Sequence, residues 1–272
     1  MAKFFKTYKP FTRAGLQSAF AYRANFIFFL LGEIMQCFIM YFVWKAVFLN
    51  TQDSSFMGFT MENMIVYLFI TFLTGYLTYS DGSYAVGEEI RDGNIAMRML
   101  KPCSFDMSFL FQEFGNKIIS LAIMFVPIVL GIEIYRFCIC GQIMFNAAHF
   151  AFYLLSLVLA YLISFYFNVC YGFLAFFLKN LWGTNILKEV VVNFLSGATI
   201  PLAFMPKALA AVLNFLPFAS LSYTPVMIYM GMYSPKDILY SILLQLFWLA
   251  VFIFASKLIW RGAMKRVSIQ GG

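Results

Sequence analysis

An uncharged stretch at residues 148–178 decides the fold class of this chain: AHFAFYLLSLVLAYLISFYFNVCYGFLAFFL. It contains no Asp, Glu, Lys or Arg, and its strongly polar side chains are few, chiefly His149 and Asn168. A helix that crosses the hydrocarbon core of a bilayer needs about 20 mainly apolar residues. The stretch exceeds that length, so it predicts a transmembrane helix and not a buried helix of a soluble domain.

Five further apolar runs lie on either side of this stretch. The chain is 62% hydrophobic and 11% charged, whereas a soluble domain is about half apolar and a quarter charged. The first run is too long for a cleaved signal peptide, and no small-residue cleavage site follows it. We therefore predict an all-α integral membrane protein with six transmembrane helices, at 24–49, 61–79, 108–133, 148–178, 187–205 and 237–259.

The distribution of Lys and Arg predicts the orientation of the spans. Six spans place both termini on one side, and fourteen of the 19 basic residues, Lys179 and Lys188 among them, fall on that side. Lys45 and Lys117 fall within predicted spans, which leaves three on the opposite side. Short cytoplasmic loops carry the excess of basic residues. Both termini are predicted to be cytoplasmic, and topology with anionic lipid explains the net charge of +7 without nucleic acid.

Residues 1–23 are basic and amphipathic, and they precede the six-span region at 24–272. Pro10 suits a helix start, and apolar residues such as Leu16 and Phe20 follow at helical spacing. The pattern predicts a helix on the cytoplasmic membrane surface. An ordinary positive-inside leader without a further role is the alternative.

Two groups of polar residues fall within the first two predicted spans. Glu33 and Gln36 are three residues apart and share a helix face. Ionisable groups in a bilayer are costly and usually face protein or water. The pair therefore lies along a translocation path, at a partner subunit, or in a structural hydrogen bond between helices. Thr71, Thr74 and Thr78 form a hydroxyl stripe, which favours close helix packing and is also compatible with lining a path.

The main charged loop spans residues 80–106, SDGSYAVGEEIRDGNIAMRMLKPCSFD. Glycines and Pro102 punctuate it, and a short helical stretch lies between the glycines. That stretch is either a charged docking surface or a plain solvated loop. Its candidate contact residues are Glu88, Glu89, Ile90, Arg91 and Asp92.

The fifth predicted span leads into an unusual apolar region. Asn193, Ser196 and Gly197 share one face of this span. Residues 201–235 then stay apolar although Pro201, Pro206, Pro217 and Pro225 interrupt them. This region is too apolar for a free loop and too broken for one span. It predicts re-entrant helices surrounded by protein or by a water-filled cavity, or otherwise an apolar outer cap.

The sequence lacks the motifs of several enzyme classes. It has no GxxxxGK[ST], GxSxG or HExxH pattern. The five cysteines form no CxxC pair, and Cys138 and Cys140 have no nearby histidine, so they supply too few metal ligands. His149 is the single histidine and suits a membrane interface. We expect no catalytic residue, no metal and no cofactor in this chain.

Three segments resemble the ABC type-2 permease family of six-span exporter subunits. EEIRDGNIAMRMLKP at 88–102 is similar to the family's coupling helix and the leucine–lysine–proline that follows it. LSGATIPLAFMPKALAAVLNFLPF at 195–218 is similar to its fifth span and re-entrant region. The third segment is the tail from Trp260 to Gly272.

The resemblance implies a mechanism. Two permeases, either two copies of this chain or this chain with a paralogue, would pair above two ATPase subunits that hold ATP and Mg. Residues 84–92 would insert into the ATPase and couple its closure to the permease. Spans one, two and five would line the path, which makes the following residues path or interface residues: Glu33, Gln36, Thr71, Thr74, Thr78, Asn193, Ser196 and Gly197.

The expected location is the bacterial cytoplasmic membrane, and the direction of transport implied by the resemblance is export. The apolar spans favour a hydrophobic or amphiphilic substrate, whose identity the sequence does not specify. The alternative is an ion-coupled secondary transporter or a channel, in which Glu33 would be the ion-coupling group.

Overall fold

The computed structural model describes residues 2–21, 23–50, 55, 57–100, 103–140, 145–178 and 180–264, and no strand occurs among them. Lys101 and Pro102 of the charged loop, and the basic tail with Lys265 and Arg266, lie outside these residues. The α-helices in the described part are α1 (Ala2–Ala21), α2 (Arg23–Leu49), α3 (Met61–Thr78), α4 (Gly82–Arg91), α5 (Ile95–Met99), α6 (Phe105–Ser120), α7 (Val126–Cys140), α8 (Ala147–Gly172), α9 (Trp182–Leu195), α10 (Lys207–Phe215), α11 (Tyr223–Tyr229) and α12 (Pro235–Met264).

Four helical segments of the described chain are long and apolar enough to cross a bilayer. A fifth candidate is the pair formed by α6 and α7, which is bent by 45°. A π-helical turn at Leu121–Phe125 joins this pair, and Pro127, just after the turn, has no N–H to donate to the preceding turn. The four segments are Leu30–Leu49, Met61–Arg91, Ala147–Phe176 and Pro235–Ala263.

The fifth predicted span, at 187–205, falls on α9, which has 14 residues. A helix of that length is about 21 Å long at 1.5 Å per residue, whereas the hydrocarbon core is about 30 Å thick. The described chain therefore contains four or five candidate spans by length and composition, and the count of six stays a prediction.

The charged loop after the second span begins as a continuation of that span. Thr60 caps the start of α3, because its Oγ1 accepts the N–H of Asn63 at 3.3 Å. Only three residues separate α3 from α4, and α4 ends before Gly93, whose φ of +73° favours glycine. The predicted loop is thus mostly helical, with α4 and α5 inside it.

Helix α8 is central to the packed core. It packs against α3, α4, α11 and α12. Tyr153, Ile163, Phe165 and Val169 on α8 have no exposed surface. By contrast, only 6% of the α2 segment Leu30–Leu49 is buried. A helix that is apolar around its circumference and yet unburied requires lipid or another protein chain as its surroundings.

The predicted surface helix α1 is docked against α6. At the crossing point a Cβ on Gly15 would overlap the carbonyl oxygen of Gln112, and a Cβ on Gly115 would overlap that of Thr12. Glycine at both positions lets the two backbones touch. Nearby, the hydroxyl of Tyr8 accepts the Ser104 N–H at 3.1 Å. The α1 helix is therefore packed on protein along one face.

The apolar region at 201–235 contains short helices separated at Pro201, Pro206 and Pro217. They are Leu202–Phe204, α10, Ala219–Leu221 and α11. Every residue of α11 is buried, because this helix packs against α8 and α3. Burial inside protein explains why α11 is apolar although it is short, whereas most of α10 is exposed.

Candidate functional site

Helix α4 carries most of the predicted docking residues and is wedged into the helix bundle. Its buried face includes Ser83, Val86 and Gly87. A Cβ on Gly172 of α8 would lie 2.9 Å from Cβ of Val86, and one on Gly87 would lie 3.0 Å from Leu181 Cδ1. These distances are shorter than ordinary carbon–carbon contacts. Glycine therefore allows α4 to pack closely against its neighbours.

The far end of α4 is held by an ion pair within the chain. The Arg98 guanidinium binds the Glu89 carboxylate through two hydrogen bonds, one of them from Nε to Oε2 at 2.6 Å. Arg98 also donates to Ser108 Oγ at 2.8 Å and lies 3.8 Å from the centroid of the Phe109 ring. This bidentate pair ties α4 to α5 and α6.

The five predicted docking residues divide into two groups. Glu89 pairs with Arg98, and Ile90 packs against a cluster of buried apolar side chains around α8. Glu88, Arg91 and Asp92 are exposed, and Arg91 Nε pairs with Asp92 Oδ1 at 2.9 Å. The structure therefore leaves three charged side chains exposed at the end of α4, two of them paired with each other.

The near end of α4 meets a buried lysine of α9. The Lys188 ammonium donates to Ser83 Oγ at 2.8 Å, to Asn168 Oδ1 at 2.5 Å and to Asn185 Oδ1 at 3.0 Å. Its side chain is 9% exposed. The distribution of basic residues predicts Lys188 in a cytoplasmic loop, whereas the structure buries it in the bundle, where three acceptors replace its water shell.

Two side chains of α6 form hydrogen bonds with the residues at the break between α3 and α4. Ser80 Oγ donates to Glu113 Oε2 at 2.9 Å. The Lys117 ammonium donates to the carbonyl of Tyr79 at 2.5 Å and reaches that of Tyr76 at 3.5 Å. The last carbonyls of a helix lack partners within it, so a cation there stabilises the helix end.

A small cavity of about 80 Å³ lies between α3, α8 and α9, and we call it the polar cavity after the polar side chains in its wall. Three predicted path residues meet there: Thr78, Asn193 and Ser196. Asn168, Lys188 and Glu189 also line it. A cavity of this size with several donors and acceptors suits water or a small polar group.

The remaining predicted path residues lie elsewhere. Thr71 and Thr74 are buried in the core, and Thr74 Oγ1 shares a hydrogen bond of 3.1 Å with the Tyr153 hydroxyl. Gly197 forms a tight turn after α9 with a φ of +79°. Glu33 and Gln36 lie on α2, which is largely exposed and does not line the polar cavity.

Turn geometry explains why residue 197 is glycine. Its carbonyl accepts the Tyr67 hydroxyl at 2.7 Å, and a Cβ on it would lie 3.1 Å from Leu202 Cγ and from Tyr223 Cβ. The positive φ and the crowding both favour glycine. In this structure Gly197 shapes the turn after α9.

A second cavity, of about 730 Å³, is a groove between α2, α3 and α7. Its lining is almost wholly apolar, with Leu30, Ile34, Phe69 and Ile128 among the residues. An apolar groove beside the exposed helix α2 is suited to hydrocarbon.

The sequence did not reveal the buried polar residues that fix α4 within the helix bundle. Asn168 was noted as a polar group deep in the fourth span, but Ser83, Asn185 and Glu113 were not singled out. Ser83 and Lys188 are 105 residues apart in sequence. Buried polarity was the available signal, since a polar group within an apolar run needs a partner.

Within the described residues, no group of three or more His, Cys, Asp or Glu side chains could hold a metal ion. Cys138 is a free, exposed cysteine, and the side chain of Cys140 lies outside the described residues.

Several apolar helices of membrane-spanning length, joined by buried polar contacts, define a polytopic α-helical membrane protein. Residues 34–271 match the model of the ABC-2 family transporter protein family. The chain belongs to this family. No curated protein and no solved structure matches it.

Family membership indicates a membrane transport component, an ATP-binding-cassette (ABC) permease, and implies association with an ABC ATPase.

Proposed function

We propose that this chain is the permease subunit of an ABC exporter in a bacterial cytoplasmic membrane. The observation that carries the proposal is α4, which presents Glu88, Arg91 and Asp92 outward while its other face is buried against α8. The exposed charged end of such a helix can bind a partner, and its tightly packed face can transmit a displacement from that partner to the helix bundle.

The partner ATPase supplies the energy. Two ATPase subunits bind ATP and Mg, and each docks on the α4 of one of two permeases, either two copies of this chain or this chain and a paralogue. Closure of the ATPases moves α4, and the bundle transmits this movement to the path. The permease itself has no catalytic role.

The substrate class is proposed from two surfaces, the apolar groove beside α2 and the polar cavity beside α9. The apolar groove between α2, α3 and α7 suits the hydrophobic part of an amphiphile. The polar cavity at Thr78, Asn193 and Ser196 suits its polar group. We propose that Glu33 and Gln36 on α2 meet the path or the second permease, since α2 is unburied within one chain.

The topology proposed for this function has six spans and cytoplasmic termini. The α9 helix and the turn after it complete the fifth span, and α10 and α11 form the re-entrant region before α12. Burial of α11 within protein supports this proposal, because irregular backbone is stable at membrane depth only where protein or a water-filled cavity surrounds it.

The proposal is tested by co-purifying ABC ATPase with this chain from its native membrane in mild detergent. Glu88→Arg/Asp92→Arg reverses two exposed charges of α4, and we expect it to reduce the ATPase recovered about tenfold. Lys207→Glu reverses an exposed charge on α10 and should leave recovery unchanged. Absence of an ATPase from well-folded wild-type protein would contradict the proposal.

A second candidate is an ion-coupled transporter. It rests on Glu113 and Lys117 of α6, whose side chains contact the break between α3 and α4. Titratable groups within a span are typical of ion-coupled transport. Uptake or release driven by a proton gradient in ATPase-free vesicles would favour this candidate, and its absence there would favour the ABC permease.

A further inference from the structure

The Lys188 ammonium joins the docking helix to the helix that borders the polar cavity. Its three hydrogen bonds reach Ser83 on α4, Asn168 on α8 and Asn185 on its own helix α9. An ammonium has three N–H donors, so these bonds use all of them. Within the described residues, no carboxylate lies at ion-pair distance from Lys188.

A buried ammonium whose three donors all form hydrogen bonds resists separation of the helices that it joins. Hydrogen bonds to a charged group are stronger than those between neutral groups, and the low dielectric of the interior strengthens them further. Losing any one of the three partners would leave charge poorly solvated. When α4 shifts, α9 therefore follows it in preference to breaking the bond at Ser83.

The position of Lys188 gives this connection a consequence for the cavity. Lys188 and Asn193 line the same cavity from α9, and Thr78 lines it from α3. A displacement of α9 thus changes the cavity directly. The ion pair of Glu89 with Arg98 does not connect α4 to the cavity, because it joins α4 to α5 and α6.

We propose that Lys188 is the positioning residue through which displacement of α4 reaches α9 and the polar cavity. This inference rests on the proposed function, in which a docked ATPase displaces α4. The bond from the Lys188 ammonium to Ser83 Oγ is the link itself, and Asn168 and Asn185 hold the ammonium in place.

The test measures hydrogen–deuterium exchange by mass spectrometry in the full permease–ATPase complex, with and without a non-hydrolysable ATP analogue. In wild type, the analogue should change deuterium uptake in peptides of both α4 and α9. In Ser83→Ala and in Lys188→Met, the change should persist in α4 and fall at least twofold in α9. The double variant should lose no more of the α9 response than Lys188→Met does, because both substitutions remove the same hydrogen bond.

The control is Lys207→Met, which removes an exposed lysine of α10 and should respond as wild type does. If Lys188→Met does not fold, Ser83→Ala decides, since it leaves Lys188 with two acceptors. A wild-type response in α9 of both folded variants would overturn the inference and leave the proposed function standing. A wild-type chain that binds no ATPase would overturn both.

Discussion

The ion pair between Glu89 and Arg98 offers a quantitative test of how α4 is held. Arg98→Met keeps an unbranched apolar stem but removes the guanidinium. The Glu89 carboxylate then loses both of its hydrogen bonds from that group, and Ser108 Oγ loses a donor. The side chains of Arg98 and Glu89 are 12% and 21% exposed, so water can replace the lost partners only in part.

The magnitude lies between two limits. Exposed ion pairs contribute at most about 1 kcal/mol, whereas removing one member of a buried pair costs about 3–5 kcal/mol. Partial exposure places Arg98→Met near 2–3 kcal/mol, including about 0.5–1 kcal/mol for the contact with the Phe109 ring. We expect a coupling free energy of about 2 kcal/mol between Arg98 and Glu89 in a double-mutant cycle.

The assay is unfolding by SDS titration in mixed micelles, followed by tryptophan fluorescence, for wild type, Arg98→Met, Glu89→Gln and the double variant. Arg91 and Asp92 form a matched control pair that is 49% and 47% exposed, and no coupling should be measurable there. A coupling below about 0.5 kcal/mol between Arg98 and Glu89 would refute the claim that this pair fixes α4.

Three further predictions follow from single contacts. Gly115→Ala should separate α1 from α6, because its Cβ overlaps the Thr12 carbonyl, destabilising the fold by about 1–3 kcal/mol and exposing α1 to trypsin. Tyr67→Phe should cost about 1–2 kcal/mol in SDS unfolding, because the Gly197 carbonyl loses a buried donor. Raising the ionic strength from about 0.1 M to 1 M should slow ATPase association roughly tenfold in surface plasmon resonance, because the exposed charges of α4 become screened.

Each of these predictions has an internal comparison. Gly131→Ala places a Cβ in open space on α7, so it should leave α1 protected. Tyr240 is 59% exposed, so Tyr240→Phe should not change stability. Neutralisation by Glu88→Gln/Asp92→Asn should abolish this slowing of association by salt if the two carboxylates cause it. A salt effect that survives in this variant would place the docking charges on another surface.

The predicted span boundaries agree with the structure where the apolar run is continuous. The runs at 61–79, 148–178 and 237–259 coincide with α3, α8 and α12. The prediction is weakest at 187–205, where α9 ends at Leu195 and a turn follows at Gly197. Mean hydropathy is the same for a straight helix and for a broken one, so composition does not distinguish them.

The predicted docking residues illustrate a second difference. Charge and spacing identified all five residues from Glu88 to Asp92 as a group. They could not show that Glu89 and Ile90 face the bundle, since that depends on Arg98 and on the cluster around α8. Similarly, counting basic residues treated Lys188 as a loop cation, because a count takes no account of burial.

By itself, the sequence determined that this is an all-helical membrane protein of the ABC-2 family, and it located α4 and the apolar region before α12. These properties arise from hydrophobicity and from short motifs, which are local and sum along the chain. Only the tertiary structure decided which charges of α4 are free, where Lys188 lies, and that Thr78, Asn193 and Ser196 share one cavity. Such contacts join residues as far apart as Ser83 and Lys188, and they exist only after the helices pack.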